Sequence, residues 1–171
     1  MLFNSFAFLI FLPVVFLTYW YVLGRNLKVQ NTVVLAASYF FYGWWDWRFL
    51  ALLFASSMID LLLGQSIVRC RTDAQKKWLV TFSIIVNITL LGFFKYFNFF
   101  CDSAVRSLNY LGLDVDPIVL QVVLPVGISF YTFQSMSYTI DIYRRQLEPC
   151  RNFMTFATYV SYFPQLVAGP I

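Results

Sequence analysis

Long apolar stretches dominate this 171-residue chain, and they limit the folds open to it more than any other feature. The chain is 60% hydrophobic and only 12% charged, whereas about 25% of the residues in a soluble globular domain are charged. Twelve Lys and Arg with eight Asp and Glu cannot cover the surface of a soluble domain of this size. The composition therefore predicts a membrane protein and argues against a soluble or disordered chain.

Histidine is absent from the chain, and its three cysteines lie far apart. No imidazole base, catalytic triad or His-ligated metal site can be built from these residues alone. The cysteines show no CxxC or other metal-ligand spacing. We therefore predict no catalytic residue and no metal site within this sequence.

Basic residues are concentrated in three clusters between the apolar stretches, at Arg25 and Lys28, at 69–77 and at 144–151. This is the arrangement of positive-inside loops, whereas a nucleic-acid surface carries basic residues along one face. No nucleic-acid partner is expected. The first apolar stretch has no basic residue before it and no small-residue cleavage motif after it, so we expect it to be retained with its N-terminus outside.

The apolar runs are continuous rather than alternating, which indicates helices and not a membrane barrel. The predicted fold is an all-α polytopic membrane protein, one domain over residues 1–171, with five to six transmembrane helices and a re-entrant C-terminal segment. The predicted spans are 6–24, 29–45, 48–67, 78–98 and 118–142, with a loop at 99–117 and a re-entrant or partial span at 152–171. Ala51 and Ala55 form a small-residue pair suited to close helix contact.

Asp60 is an ionisable residue inside an apolar span, which makes it a candidate functional residue. Its short side chain cannot reach the membrane surface. We expect it either to pair within the helix bundle or to face a cytoplasmic cavity, and a structural and a functional role both remain open.

The span at 118–142 is predicted to break or kink near Pro125 and Gly127, since proline removes an N–H donor and glycine loosens the backbone. Beyond the break, four polar residues share one helix face: Gln134, Tyr138, Asp141 and Arg145. Asp141 can pair with Arg145 at i,i+4. The stripe is either a polar seam that joins helices or one wall of a polar tunnel.

The C-terminal segment contains Pro164, Gln165, Gly169 and Pro170. Two prolines with a glycine between them cannot belong to a regular span. We expect this segment to be re-entrant or unwound and packed against protein. Because the sequence stops inside it, we expect a truncated chain.

Four blocks of this sequence resemble the membrane-bound O-acyltransferase family in its bacterial alginate O-acetylation branch. The blocks are MLFNS at 1–5, ASYFFYGW at 37–44, LPVGISFYTFQ at 124–134 followed by YTIDIYR at 138–144, and FPQLVAGPI at 163–171. They occur in the same order as in that family and cover most of the chain. The two blocks near the C-terminus are long enough to make chance a poor explanation.

The resemblance implies an enzyme of the bacterial inner membrane that moves an acyl group, acetyl in this branch, from a cytoplasmic donor toward an exopolysaccharide hydroxyl. The donor implied is acetyl-CoA or another thioester, with no bound cofactor, and the partners implied are the lipid bilayer, acetylation proteins of the membrane or periplasm and, indirectly, the polysaccharide. The family's catalytic histidine lies downstream of the last block, so this chain alone is expected to be inactive. Arg144 and Arg145 are candidates for the cytoplasmic donor entrance, or else serve only as topology markers.

Two other classes of protein remain open from the residues alone. One is a transporter or channel whose broken helices bind a solute at mid-depth. The other is a membrane scaffold for periplasmic partners.

Overall fold

In a computed structural model of the chain, residues 5–22, 26–44, 46–112 and 123–168 are described, and these are helical with no strands. The elements in order are α1 (Phe6–Leu17), a π-helix (Thr18–Val22), α2 (Leu27–Gly43), α3 (Arg48–Arg69), α4 (Asp73–Tyr110), α5 (Ile128–Tyr143), α6 (Phe153–Val160) and α7 (Phe163–Ala168).

Polar N-caps begin four of these helices. The side chains of Ser5, Asn26, Thr72 and Asn152 accept hydrogen bonds from the first free N–H groups of α1, α2, α4 and α6. Such caps stabilise a helix start by about 1 kcal/mol each. They explain why the helices begin where a short polar residue precedes an apolar run.

Two of the described helices, α3 and α4, are long and apolar enough to cross a membrane. α3 coincides with the predicted span 48–67. α4 contains the predicted span 78–98 but continues to Tyr110, so the loop predicted at 99–117 is wrong over 99–110. No glycine or proline interrupts 99–110, and the helix ends at Tyr110, two residues before Gly112, whose φ of 82° lies in the left-handed region.

The span predicted at 118–142 is a shorter helix that follows an irregular segment. α5 begins at Ile128, directly after Gly127, whose φ is 77°. Residues 123–127 are not helical, so the predicted break is the start of the helix rather than a kink within it; residues 113–122 lie outside the described part. Proline at 125 and left-handed glycine at 127 both oppose the regular helical backbone at these positions.

The C-terminal segment is not one continuous helix. Within its described part, α6 ends at Val160 and α7 begins at Phe163, with Ser161 and Tyr162 between them. Gly169 and Pro170 lie outside the described residues. The re-entrant path of this segment therefore stays a prediction.

The buried core lies where α3, α4 and α5 pack together, with α6 against α2 and α3. Leu53, Ile67, Tyr131 and Phe156 are its largest buried apolar side chains. α1 buries no residue completely and contacts the rest through rings, as where Phe11 meets Phe41 and Phe163. The core thus holds α3–α6 in place, with α1 on its outside.

Small residues do mediate the close helix packing, but not the pair predicted. Ala51 and Ala55 are both exposed, so they make no close helix contact within the described part of the chain. Gly64 is buried instead, and a Cβ built there would lie 2.7 Å from Cε1 of Tyr138 on α5. The small residue of α3 in close contact with α5 is therefore Gly64.

Candidate functional site

A buried polar cluster joins α3, α4 and α5 around Asp60, whose side chain is fully buried. The Asn87 amide donates to both carboxyl oxygens of Asp60, at 3.1 and 2.9 Å, and the Ser83 hydroxyl donates to Oδ1 at 2.6 Å. Of the two outcomes expected for Asp60, pairing within the bundle is the one observed.

The cluster extends to α5 and back to α3. The hydroxyls of Ser83 and Thr139 lie 3.2 Å apart, and Ser56 donates to Oδ1 of Asn87 at 3.5 Å. In the described part of the chain the only ion pair joins Lys76 to Asp73, so the partners of Asp60 are neutral. A carboxyl group on α3 that accepts from two neutral donors on α4 fixes the relative rotation of these two helices, because each donor must stay in place to satisfy the buried oxygens.

Gln134 and Tyr138, from the predicted stripe, connect α5 to the segment around α6. The Gln134 amide donates to the Tyr159 carbonyl at 2.9 Å, and the Tyr138 hydroxyl accepts from the Cys150 N–H at 3.0 Å. The Tyr138 ring also packs on Phe156, with centroids 4.4 Å apart. These contacts join α5 to α6 and to the segment before it.

One buried atom of the stripe lacks a partner. Oε1 of Gln134 accepts no hydrogen bond from the described residues, and neither does the buried hydroxyl of Tyr131 one turn earlier on α5. Unpaired buried polar atoms are rare in folded proteins. The interior side of α5 therefore keeps hydrogen-bonding capacity for a group outside the described residues.

The predicted ion pair between Asp141 and Arg145 is absent within the described residues. α5 ends at Tyr143, and Arg145 adopts a φ of 61° in the left-handed region. Arg145 donates its N–H to the Ile142 carbonyl and Gln146 donates to the Asp141 carbonyl, the two bonds of a Schellman motif. Because Arg145 lies past the helix end, it no longer shares a helix face with Asp141.

Asp141 is half-buried, whereas Arg144 and Arg145, the donor-entrance candidates, are exposed at the C-terminal end of α5. Their guanidinium groups form no ion pair with the described acidic residues. They are free to contact an anion.

Pro164 and Gln165 lie in α7, which is packed against the turn that precedes α5. A Cβ built on Gly127 would overlap the Leu166 carbonyl oxygen, so glycine is required for this close approach. Ser38 of α2 accepts a hydrogen bond from the Phe163 N–H at 3.2 Å, and Tyr42 donates to the Val126 carbonyl at 3.0 Å. α2 thus holds both the turn and α7.

A cavity of about 530 Å³, the lateral cavity, lies between α1 with its π-helix, α2, α6 and α7. Pro164 and Gln165 line it, together with apolar residues of α1 and α2. Most of the predicted site residues lie elsewhere: Asp60, Gln134, Tyr138 and Asp141 do not line this cavity.

Sequence reasoning missed the partners of Asp60. Ser83, Asn87 and Thr139 are buried polar residues in apolar helices. A spacing of four between Ser83 and Asn87 places both on one face of α4, and that signal could have drawn attention to them. Nothing in the sequence shows that this face meets Asp60.

The described helices define a helical membrane protein, with α3 and α4 able to cross a bilayer. Over its full length the chain is 41% identical to proteins named probable alginate O-acetylase AlgI from Pseudomonas syringae pv. tomato and Pseudomonas aeruginosa, covering 33% and 32% of their lengths. It is also 31% identical to a peptidoglycan O-acetyltransferase of Helicobacter pylori, covering 37% of that protein.

These similarities confirm the resemblance to the alginate O-acetylation branch of the membrane-bound O-acyltransferases, since the chain is homologous to alginate O-acetylases along all of its residues. The chain spans about a third of the length of the curated relatives it matches. No family model matches it. No solved structure matches it either.

Proposed function

We propose that this chain is part of an O-acetyltransferase of the bacterial inner membrane, which passes acetyl groups from a cytoplasmic donor to hydroxyl groups of an exported polysaccharide. The observation that carries the proposal is the 41% identity, over the whole chain, to proteins named alginate O-acetylases. A relative named as a peptidoglycan O-acetyltransferase supports the same class of acceptor, a glycan hydroxyl.

Acetyl transfer to a hydroxyl requires a general base, and this chain has no histidine to act as one. Its contribution is therefore structural and positional. The Asp60 cluster fixes the packing of α3, α4 and α5, and the turn at Gly127 fixes α7. The unpaired Gln134 Oε1 and Tyr131 hydroxyl offer polar contacts on the interior side of α5, in keeping with the tunnel wall expected there.

The donor is acetyl-CoA or another thioester, and we place its entrance near Arg144 and Arg145. Both are exposed at a helix end, and guanidinium groups bind phosphate well. Acetylation proteins of the membrane or periplasm would then deliver the acetyl group to the polysaccharide. The relatives' names favour an acetyltransferase over a transporter, channel or scaffold.

Deletion of the gene in its host tests the proposed activity. The O-acetyl content of the exported polysaccharides is measured by NMR. We expect the deletion to remove acetyl groups from one polymer and the full-length gene to restore them. Unchanged acetyl content on every exported glycan would contradict the proposal.

A double variant, Arg144→Gln with Arg145→Gln, tests the donor entrance in membranes supplied with labelled acetyl-CoA. The matched control is Arg69→Gln with Arg71→Gln, two exposed cations of another basic cluster. We expect the first pair to raise KM for the donor severalfold with kcat retained, and the control pair to leave KM unchanged. Equal KM values for the two double variants would show that Arg144 and Arg145 do not bind the donor and serve only as topology markers.

Multi-pass topology is tested with a membrane-impermeant maleimide in a full-length protein whose native cysteines are serines. Tyr110→Cys, at an exposed position, is expected to react from the periplasmic side. Gln75→Cys, at the other end of α4, is expected to react only from the cytoplasmic side. The reverse pattern would invert the proposed orientation.

A further inference from the structure

The lateral cavity opens beside the surface of α1, which is apolar and exposed. Leu9 is 66% exposed and Phe16 is 56% exposed, and α1 contains no charged residue. A surface of this kind is suited to contact with the acyl chains of a bilayer, and the cavity lies beside it. Its volume of about 530 Å³ falls within the range of about 300–1,000 Å³ typical of sites for small ligands.

The π-helix shapes one wall of this cavity. The wide turn at Thr18–Val22 follows α1 and brings Tyr19 and Trp20 to the cavity lining. The Tyr19 carbonyl accepts a hydrogen bond from Gln30 of α2 at 3.4 Å, which ties the wide turn to the next helix. π-turns of this kind are frequently found at functional sites.

The lining combines apolar side chains, two carboxamides and several aromatic rings, those of Phe16, Tyr19, Trp20, Tyr159, Tyr162 and Phe163. Leu12, Val15 and Val34 are apolar, whereas the Asn31 and Gln165 side chains form no hydrogen bond to the described part of the chain. The Thr158 hydroxyl, in contrast, donates to the Met154 and Asn31 carbonyls, at 2.7 and 3.2 Å. A fitting occupant therefore has a long apolar part and a few hydrogen-bond acceptors.

We propose that the lateral cavity is a binding site for a bilayer phospholipid, with one acyl chain between α1, α2 and α7 and its ester oxygens near Asn31 and Gln165. A sugar would leave its hydroxyls against Leu12, Val15 and Val34, at a high desolvation cost. An acyl chain buries apolar area against the same residues and leaves the ester as the acceptor for the two amides. This site is independent of acetyl transfer, so its test and the acetylation test can fail separately.

Photo-crosslinking tests the site. The full-length protein is placed in vesicles of phosphatidylethanolamine and phosphatidylglycerol that contain a trace of phospholipid with a diazirine on one acyl chain. After irradiation, mass spectrometry locates the adducts. We expect adducts on the α2 and α7 residues that line the cavity, and also on exposed α1 residues such as Leu9, which shows that the probe reaches the protein. Adducts on α1 alone would overturn the proposal, because the cavity would then hold another part of the protein.

Two variants sharpen this result. Val34→Phe fills the cavity and should lower the adduct yield on α7 by about tenfold, the equivalent of about 1.4 kcal/mol of lost binding. Val14→Phe makes the same change on the exposed side of α1, outside the lining, and should leave the yield on α7 unchanged. Equal yields on α7 in the two variants would overturn the proposal.

The role of the two amides is measured with Asn31→Leu combined with Gln165→Leu. We expect the wild type to label more efficiently with the diazirine phospholipid than with a diazirine alkane of equal chain length, and the double variant to lose that preference. A wild type that labels equally with both probes would show that no ester is recognised and would overturn this part of the assignment. The positions of the adducts on the wild-type protein test the site even if a variant fails to fold.

Discussion

Asn87 on α4 donates both amide hydrogen bonds that reach the two carboxyl oxygens of Asp60 on α3, at 3.1 and 2.9 Å, and both residues are buried. This pair, with Ser83, is the centre of the polar cluster that joins the three helices of the core. Its partners are all neutral within the described residues. The Asp60 carboxyl is therefore the acceptor that Asn87 and Ser83 share.

Replacing Asp60 with Leu is therefore expected to destabilise the full-length protein. The Asn87 amide and the Ser83 hydroxyl would lose their hydrogen bonds to the carboxyl oxygens and keep only those to the Ser83 carbonyl and the Thr139 hydroxyl, at a cost of about 0.5–1.5 kcal/mol for each bond lost. The free energy of unfolding, measured by SDS titration in mixed micelles, checks this. Asp102→Leu, at an exposed position of α4, is the control and should change it by no more than about 0.5 kcal/mol. A variant at position 60 as stable as this control would show that the Asp60 cluster does not fix the packing of α3 against α4.

Gly127→Ala is expected to displace α7 from the turn before α5. A Cβ there overlaps the Leu166 carbonyl oxygen, and the φ of 77° strains any L-residue by about 1–3 kcal/mol. Gly92→Ala is the matched control, because a Cβ at Gly92 meets nothing within 4 Å and alanine favours a helix by about 1 kcal/mol. Limited proteolysis near residues 161–168 should accelerate only in the Gly127 variant. Unchanged cleavage there would mean that α7 does not depend on this contact.

Tyr138→Phe removes the acceptor of the Cys150 N–H without changing the packing of the ring on Phe156. We expect a loss of about 1–2 kcal/mol of unfolding free energy, since a partly buried N–H is left unpaired. Tyr159→Phe, at a residue that is 49% exposed, removes a hydroxyl of the same kind and should have little effect. The SDS titration compares the unfolding free energies of the two variants. Equal values would show that the hydroxyl of Tyr138 does not contribute to stability.

Arg145→Gly is expected to stabilise the protein by about 1 kcal/mol, because glycine adopts the left-handed conformation at the end of α5 without a Cβ penalty. Arg144→Gly changes a residue with φ of −73° and removes the same charge, so it should give no such gain. Thermal unfolding of the two variants in detergent provides the comparison. A lower midpoint for Arg145→Gly than for Arg144→Gly would show that the arginine side chain outweighs the backbone strain.

The positions of the helices were largely predictable, because the length of an apolar run is a property of the sequence alone. Spans at 48–67 and 29–45 correspond closely to α3 and α2. The extension of α4 to Tyr110 was missed because polar residues such as Asp102 do not end a helix when no glycine or proline follows them. The break before α5 was located correctly, since Pro125 and Gly127 act on their own backbone.

The contacts of the candidate site were harder to predict from the sequence than the helix positions. Asp60 was recognised as unusual from its apolar surroundings, yet its partners Ser83 and Asn87 lie on α4, and Thr139, which contacts Ser83, lies on α5. The ion pair expected between Asp141 and Arg145 failed because it assumed that the helix continues past Tyr143. A spacing of four predicts contact only while both residues remain in the helix.

The sequence by itself determined the membrane character of the chain, the helix positions, the break at Pro125 and Gly127, and the lack of a histidine base. These follow from composition and from local backbone chemistry. Only the tertiary structure decided which face of α3 meets α4 and α5, that α7 closes against Gly127, and where the lateral cavity lies. Those features depend on contacts between residues far apart in the chain, such as Ser38 with Phe163. Helical periodicity predicts which side chains share one face of a helix, but it does not predict which other helix that face contacts.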